Sequence, residues 1–485
     1  MVKKNKNHRP PVVVVLGHVD HGKTTLLDYI RKTNVVSKEV GQITQSIGAY
    51  EVHVPVKGYD TDRITFIDTP GHEAFSKLRL RGANVADIAV LVVDATDSVK
   101  PQTKESIAHI KQADIPVIVA INKIDLPAAK VEKVKKDLVK HKLIVEEHGG
   151  KIAVVPISAK EGTGVKDLLE AILYVASARE LKFQKDADPE IYIIETVKTS
   201  AGPQVSCIIK NGTLRVADTV YAGGIPTKIR ALIDDKVKRL KEVVPSTPFV
   251  ILGFKEFPQV GSTLSTKPEE AVDTRQEVVQ KKSLEDFLTQ DKQKTLKLVL
   301  RADSQGSLEA IMAALERQKN LEIVLSAVGE IAKSDIFLAK VSQAIVVGFG
   351  LKADKKIRDL AEQEKVVIKT YNIIYRLLDE LEEVSLLLQE REKKKRNIKG
   401  RAKILANFII EGERVAGVKI EVGRISLNDT IELVRSKKLV GQAKLVSLKQ
   451  KAEVVQDAKK GDEAGLILDP QLDFKVGDMI KSYSI

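Results

Sequence analysis

The segment from residue 17 to residue 24 constrains this chain more than any other, because it reads glycine, four residues, glycine, lysine and a hydroxyl residue. An apolar run at residues 12–16 precedes it, and a helix-like stretch at residues 25–32 follows it. Gly17 and Gly22 allow backbone torsions that a side chain would hinder, so successive amide groups can point at phosphate oxygens. The order of strand, glycine-rich loop and helix therefore predicts an α/β domain with a phosphate-binding loop.

This loop is expected to contact a nucleotide along its whole length. Lys23 would reach the β and γ phosphates, Thr24 would ligate magnesium, and the positive end of the following helix would face the anion. The complete set of predicted contacts in the loop is Gly17, His18, Val19, Asp20, His21, Gly22, Lys23, Thr24 and Thr25.

A second motif, at residues 64–72, begins with another short apolar strand. The strand ends in Asp68, which would hold Mg²⁺ directly or through water. Gly71 lies three residues further on, and its amide could hold a γ phosphate. These positions predict a nucleoside triphosphate whose terminal phosphate is contacted from two loops.

Two further motifs indicate which base is bound. Residues 117–125 are an apolar strand ending in Asn122, Lys123 and Asp125, and the carboxylate of Asp125 can accept hydrogen bonds from both N1 and N2 of guanine, a pattern that adenine does not offer. A strand at residues 154–157 precedes the loop that would complete the base pocket, Ser158, Ala159 and Lys160. Four motifs in this order, each at the end of an apolar strand, predict GTP and GDP as ligands.

On these residues the chain resembles the translational GTPases, and among them the bacterial translation initiation factor 2 family. The resemblance covers almost the whole chain and is carried by residues 17–24, 41–50, 68–72 and 301–310. The last segment discriminates best, because elongation factors lack it. The resemblance implies a multidomain α/β protein without the long amino-terminal extension that many members carry.

Several roles follow from the resemblance alone. It implies that Thr44 closes on Mg²⁺ beside Thr24 and Asp68, that His72 orients the attacking water, and that Asp20 helps to hold a monovalent cation near the phosphates. Val19 and Ile43 would be apolar neighbours of His72. Gln42 and Ser46 stand where the family usually has glycine and histidine. The residue pattern by itself leaves a second interpretation of His72, a solvated histidine on a mobile loop.

The resemblance also implies partners. With GTP bound, the protein would hold formylmethionyl initiator tRNA on the small ribosomal subunit, promote joining of the large subunit and hydrolyse GTP there, acting as a monomer. The family recognises the formylmethionyl group with the last barrel, and this chain keeps Lys449, Glu463 and Gly465 of that patch. The positions that depart from the family are Val418 and Ala464, where cysteines are usual, and Gln450 and Lys451, which replace an arginine and an aromatic residue.

Composition favours an anionic partner and excludes two classes of protein. The 485 residues carry a net charge of +13, and residues 391–403 hold eight basic side chains against one acidic, Glu392, which predicts contacts to RNA phosphates. No apolar stretch approaches the roughly 20 residues that span a bilayer, and no signal peptide begins the chain, so we expect a cytoplasmic protein without membrane contact. A single cysteine, Cys207, excludes an internal disulfide framework and is expected in a core.

The pattern along the chain predicts an α/β multidomain fold: a P-loop GTPase domain, a β-barrel, a second α/β domain, a long connecting helix and a C-terminal β-barrel. A second barrel is expected because residues 212–220 recur as residues 423–431, with a shared Asp-Thr pair. In the second α/β domain, Ser307 is the expected helix cap. The expected segments are a basic tail at 1–10, the GTP-binding domain at 11–182, a barrel at 187–266, a charged helical connector at 267–295, the α/β/α domain at 296–375, the helix at 376–398 and the tRNA-binding barrel at 399–485.

Other functions remain open on the residues alone. An archaeal- or eukaryal-type initiation GTPase and a specialised elongation factor share the nucleotide motifs. A phosphate-loop enzyme for small-molecule chemistry and a non-catalytic GTP-gated binding module share the loop itself. The segment at 301–310 argues against elongation, and the absence of a further catalytic constellation in the sequence argues against small-molecule chemistry.

Overall fold

The structure is a computed structural model that describes residues 8–32, 47–54, 56, 58–199, 202–268, 295–316, 318, 320–396, 398–410, 413–435, 438–451 and 453–483. The described residues fall into two compact units, the first ending at Glu382 and the second beginning at Glu383. Within these residues no helix has both the length and the apolar character needed to cross a bilayer. Residues 269–294 of the predicted connector at 267–295 and the predicted ligand Thr44 lie outside the described residues.

The first unit begins with a doubly wound α/β domain, as predicted. Its six strands pair in the order β2-β3-β1-β4-β5-β6, and all neighbours are parallel except β2 and β3. β1 is fully buried because helices cover both faces of the sheet, which explains its run of consecutive valines. The strands are β1 Val12–Gly17, β2 Gly48–His53, β3 Arg63–Asp68, β4 Ile88–Asp94, β5 Val117–Asn122 and β6 Val154–Pro156; the helices are α1 Lys23–Arg31, α2 Ser76–Val85, α3 Pro101–Ala113, α4 Val131–Lys140 and α5 Val165–Ala178.

An antiparallel β domain follows, and its strands enclose one apolar core that includes Cys207, as expected for this residue. The larger sheet has the order β13-β12-β15-β8-β7-β16. Two separate two-stranded sheets, β10-β11 and β9-β14, complete the domain. The strands are β7 Glu190–Thr199, β8 Gly202–Asn211, β9 Leu214–Arg215, β10 Thr219–Ala222, β11 Ile225–Lys228, β12 Ala231–Asp234, β13 Arg239–Leu240, β14 Glu242–Val243, β15 Pro248–Leu252 and β16 Thr263–Leu264.

A second, smaller α/β domain completes the first unit, with a parallel sheet in the order β18-β17-β19-β20. The expectation that Ser307 caps the first helix is wrong. Ser304, in extended conformation, is the cap, and its Oγ accepts from the backbone N–H of Ser307 at 3.2 Å, because the helix begins at Gln305 and Ser307 is its third residue. The elements are β17 Leu296–Ala302, α6 Gln305–Leu315, β18 Leu321–Val328, α7 Lys333–Ser342, β19 Ile345–Phe349, α8 Lys355–Gln363, β20 Ile368–Tyr371 and α9 Ile374–Arg396.

The second unit is a closed antiparallel barrel, because β22 pairs back with β21 at the end of the order β21-β28-β23-β24-β27-β22. The sequence repeat is visible in its turns. Gly212 and Gly423 both have φ +70°, and the carboxylates of Asp218 and Asp429 each accept from the backbone N–H three residues earlier. The strands are β21 Ile398–Ile410, β22 Glu413–Ser426, β23 Thr430–Arg435, β24 Lys438–Gln450, β25 Glu453–Val454, β26 Asp457–Lys459, β27 Glu463–Asp469 and β28 Met479–Tyr483.

Candidate nucleotide site

The predicted phosphate loop joins β1 to α1 at the carboxyl edge of the sheet. Gly17 has φ +147°, and a Cβ there would lie 2.4 Å from the carbonyl oxygen of Val92. Gly22 has φ +88°, and a Cβ there would lie 2.2 Å from Nδ2 of Asn122. Only glycine therefore lets the loop pack against the ends of β4 and β5.

Lys23 occupies the centre of this loop. Its side chain is buried, and Nζ donates to the carbonyl oxygens of Gly17 at 3.0 Å and His18 at 2.7 Å. Burial lowers the pKa of Lys23, while the Asp68 carboxylate opposes that shift. An anion bound in the loop would favour the charged ammonium, because its negative charge replaces the stabilisation by water that burial removes.

The phosphate side and the base side are physically joined through Asn122. Its Nδ2 donates to the carbonyl oxygen of His21 at 2.9 Å, and its Oδ1 accepts from the backbone N–H of Ala159 at 2.9 Å. Lys123 forms an ion pair with Asp94, with 2.7 Å between Nζ and Oδ2. The structure thus brings the two predicted base motifs onto the phosphate loop.

The remaining base residues lie on the same edge of the sheet, after β5 and β6. Ser158 is fully buried, and its Oγ accepts from the backbone N–H of Glu161 at 3.2 Å. Asp125 and Lys160 are exposed. An exposed carboxylate after β5 is accessible to a base, in contrast to Asp94, which is buried against Lys123.

The magnesium and γ-phosphate motif also meets the loop. Asp68 ends β3 and is in register with Val15 of β1. Gly71 lies so close to the loop that a Cβ there would be 2.6 Å from Nζ of Lys23 and 3.0 Å from Cγ2 of Val19. The backbone of Gly71 therefore faces the same space as the lysine.

Sequence reasoning missed one residue that holds this loop. Oε1 of Gln102 accepts from the backbone N–H of Val19 at 2.9 Å. Gln102 is in the first turn of α3, and no motif surrounds it. The contact joins distant segments, so no local pattern could have identified it.

His72 is buried rather than solvated, so the interpretation as a solvated histidine is wrong. Its Nδ1 accepts from the backbone N–H of Ala74 at 2.9 Å, and the centroid of its ring lies 6.0 Å from that of Phe75 and 4.0 Å from that of Tyr375. Burial lowers the pKa of His72; Glu73 works against this shift and Arg79 adds to it. The imidazole is therefore neutral at pH 7, with its proton on Nε2.

The backbone around His72 is fixed by Arg79, a fully buried residue of α2. Its guanidinium donates to the carbonyl oxygens of Pro70, at 2.9 Å, and of His72, and also binds both carboxylate oxygens of Glu105 at 2.8 Å. Although burial opposes ionisation, hydrogen bonds from groups including Arg79 lower the pKa of Glu105 to about 2. This pair anchors the loop before α2 to α3.

The segment at 301–310 forms a junction of three domains. Arg81 of α2 donates to the carbonyl oxygen of Ile194 at 3.3 Å and to Oε2 of Glu309, in α6, at 2.8 Å. Oε1 of Glu195, in β7, accepts from the backbone N–H of Gly306 at 3.1 Å. A Cβ at Gly306 would lie 2.4 Å from Oε2 of Glu195, so the close approach requires glycine.

The second unit contains a pocket of about 560 Å³ on its barrel. The three predicted tRNA residues Lys449, Glu463 and Gly465 all line it, and so do Val418, Ala464 and Lys451. Lys449 is in register with Gly465, and Val418 with Ala464, so strands β22, β24 and β27 form its floor. Gln450 is not among the lining residues.

Three family descriptions match successive parts of the chain: the elongation factor Tu GTP binding domain at residues 8–178, elongation factor G domain 2 at 189–267 and translation-initiation factor 2 at 273–382. Together with the fold and the loop geometry, they define a GTPase of the translation-factor class.

The relatives identify the family. Translation initiation factor IF-2 of Thermoanaerobacter sp. (strain X514) is 42% identical over 100% of this chain and 72% of its own length. The factor from Thermosipho africanus is 44% identical over 99% of this chain and 71% of its own length. The factor from Thermus thermophilus is 40% identical over 100% of this chain and 88% of its own length. The chain belongs to the bacterial translation initiation factor IF-2 family.

This membership decides between the alternatives that the sequence left open, and the protein is a translation initiation factor GTPase that binds GTP and GDP. Among solved structures, GDP-bound aIF5B from Aeropyrum pernix is similar, with 27% identity, a TM-score of 0.49 and coverage of 98% of this chain and 92% of that one.

Proposed function

We propose that this factor binds GTP with Mg²⁺ in the loop between β1 and α1, reads guanine with Asp125 and hydrolyses GTP on the ribosome with His72 orienting the water. The observation that carries the proposal is the meeting of four segments at one edge: Lys23 inside the loop, Gly71 against it, and Asn122 joining it to Ala159. Such an arrangement contacts both ends of a guanine nucleotide.

The residues present fit a magnesium ion. Thr24 follows the loop lysine and Asp68 ends the neighbouring strand, so a hydroxyl and a carboxylate are available beside the phosphates. Thr44 would supply a further hydroxyl, and Asp20, at φ +63° in the loop, is our candidate for a monovalent cation. Mg²⁺ would neutralise charge between the β and γ phosphates.

His72 explains why hydrolysis by the free protein should be slow. It follows Gly71 directly, so it is one residue from the space that Lys23 faces, yet its ring is enclosed by Phe75 and Tyr375. Phosphoryl transfer depends on positioning and charge stabilisation, and a histidine held in an aromatic enclosure does not orient a water. The ribosome would supply the change of position.

The barrel pocket supports a role with initiator tRNA. Val418 and Ala464 give it apolar walls that suit a methionine side chain, because such a wall depends on volume more than on sulfur. Lys449 and Lys451 offer cations to the RNA backbone. We infer that this pocket holds formylmethionyl-tRNA for the small subunit and that the factor then promotes joining of the large subunit.

GTP turnover by His72→Ala and by the unaltered protein, with and without ribosomes, tests the proposal. We expect nucleotide binding to be retained and ribosome-stimulated turnover to fall at least about a hundredfold, the scale of one positioned catalytic group. Gln102→Ala is a matched comparison, because it loosens the phosphate loop and should weaken nucleotide binding instead. Normal stimulated turnover in His72→Ala would remove the histidine from the mechanism.

A further inference from the structure

Tyr375 contacts the proposed catalytic histidine from a distant part of the chain. It belongs to the first turn of α9, after the second α/β domain, yet its ring centroid lies 4.0 Å from that of His72 with the planes at 66°. The inclination of the planes is that of an edge-to-face pair, and the centroids are closer than the usual range of about 4.5–7 Å, so the two rings are in tight contact. The contact joins the proposed catalytic side chain to a domain far away in the sequence.

Both sides of the contact are firmly held. On one side, Arg79 binds the carbonyl oxygen of His72 and Ala74 donates to its Nδ1. On the other, Ile374 and Leu377 flank Tyr375 and are fully buried, so the first turn of α9 is fixed to the core. The backbone on each side of the pair is therefore fixed, while the ring of Tyr375 itself is 40% exposed.

The pKa of Tyr375 responds to charges on two loops. Burial raises the pKa of Tyr375, and the carboxylates of Asp20 and Glu73 raise it further. One of these carboxylates belongs to the phosphate loop and the other to the turn that follows His72. The charges of both loops therefore act on the hydroxyl of Tyr375.

We propose that Tyr375 is a positioning residue for His72. In the free protein Tyr375 holds the imidazole in its enclosed, inactive position, and the two side chains must separate before GTP is hydrolysed. The inference rests on the proposed catalytic role of His72. The tautomer of His72 with its proton on Nε2 agrees with an inactive state. Nδ1 already accepts from the backbone N–H of Ala74. A neutral imidazole has only one acceptor nitrogen, so none is left to accept a hydrogen bond from the attacking water.

The junction at 301–310 gives this contact a means of control. Arg81 and Glu309 tie α2, which begins just after the His72 turn, to α6 of the second α/β domain, and Tyr375 follows the last strand of that same domain. A displacement of this domain against α2 changes the distance between Tyr375 and His72. Domain rearrangement and release of the histidine are therefore one event.

The first test measures His72 itself rather than activity. Full-length Tyr375→Ala, Tyr375→Phe and unaltered protein are treated with diethylpyrocarbonate across a range of pH around neutrality, and modification of the His72 peptide is followed by mass spectrometry. We expect the alanine variant to react about fivefold faster, as loss of one aromatic pair implies, with a pKa for His72 shifted upward toward its ordinary value. Tyr375→Phe keeps the ring and should behave as unaltered protein.

Tyr174→Ala is the matched control, because Tyr174 lies on α5 and is 67% exposed. Glu73 and Arg79 face His72, and Asp20 and Glu73 face Tyr375; all of them stay in place in every variant. An unchanged rate and pKa for His72 in Tyr375→Ala would overturn the inference, and so would equal effects in Tyr375→Phe.

The second test measures GTP turnover without ribosomes. Tyr375→Ala should raise it about 2- to 10-fold, the population change that release of one aromatic pair allows, and the double variant with His72→Ala should lose the gain. A more reactive His72 without faster turnover would overturn the positioning role, provided His72→Ala still abolishes stimulated turnover. If His72→Ala leaves stimulated turnover intact, the proposed function itself has failed, which is recognised without any Tyr375 variant.

Discussion

Replacement of Glu195 by glutamine should stabilise the first unit at high pH and not at low pH. Glu195 is 3% exposed, and only Oε1 accepts hydrogen bonds, from the backbone N–H groups of Thr196 at 2.8 Å and Gly306 at 3.1 Å. Among the described residues Oε2 has no partner. Burial raises the pKa of Glu195 from 4.5 to about 7. The native state therefore favours the neutral acid.

The size of the effect follows from linkage. A carboxyl group whose folded pKa is raised contributes its full stability below pH 4.5, and that contribution is lost as the pH rises through about 7. The shift of about 2.5 pH units, at about 1.4 kcal/mol per unit, gives roughly 3 kcal/mol between these limits. Glutamine keeps the Oε1 acceptor and has no charged form, so Glu195→Gln avoids this loss.

The assay is thermal unfolding of the unaltered protein and Glu195→Gln between about pH 5 and about pH 8. The melting temperature of Glu195→Gln should exceed that of the unaltered protein only slightly at the acid end and by about 6–12 °C at the alkaline end. The upper value is a limit, because a multidomain chain need not unfold in one step. Glu256→Gln, at an exposed glutamate of the same β domain, controls for the change in charge. A difference independent of pH would refute the reasoning. Destabilisation at the alkaline end would show that the carboxylate serves as a charged partner of Arg81.

Three further predictions concern the other polar sites. Asp125→Asn should weaken GTP binding roughly 10- to 100-fold and improve binding of xanthosine triphosphate, because one charge-assisted pair to guanine is lost; nucleotide titration measures both, and unchanged GTP affinity would contradict the assignment. Arg9→Met should destabilise the fold by about 1.5–3 kcal/mol in urea unfolding, since the buried Asp87 carboxylate loses the guanidinium that lowers its pKa against burial but keeps Lys210, with 3.1 Å between Nζ and Oδ1, and a double variant with Asp87→Leu should lose less. Lys449→Ala should weaken binding of formylated and unformylated initiator tRNA alike, more at low salt than at high salt.

The sequence predicted the nucleotide domain well because its information is local. Each strand of that sheet is a continuous apolar run that ends at a polar motif, and parallel strands bring their carboxyl ends to one edge. The predicted strands at 12–16 and 154–157 therefore differ from β1 and β6 by one residue at one end. The pocket residues Lys449, Glu463 and Gly465 also meet as the resemblance implied.

The errors and omissions concern contacts between distant segments. Ser304 and Ser307 both precede an apolar run, and only the observed first residue of α6 decides which of them caps it. Gln102 and Tyr375 carry no motif, and their contacts depend on how α3 and α9 pack against loops that lie far from them in the sequence. Such packing is fixed by the tertiary structure, so neither periodicity nor spacing could predict it.

The polar character of the junction at 301–310 has a physical consequence for any displacement of the domains that meet there. An interface of large apolar side chains would lose contact area in any displacement, whereas Arg81 can exchange one carboxylate or carbonyl partner for another. Glu195, whose pKa is raised by burial to about 7 and whose Oε2 is unpaired within the described part of the chain, makes this arrangement less favourable as the pH rises through about 7. The coupling free energy between two ligand sites is typically about 1–3 kcal/mol, and we expect a coupling of that size to be enough to change the arrangement of this junction. Because α2 leads directly from this junction to the turn that bears His72, we expect a displacement at the junction to change the contact between His72 and Tyr375.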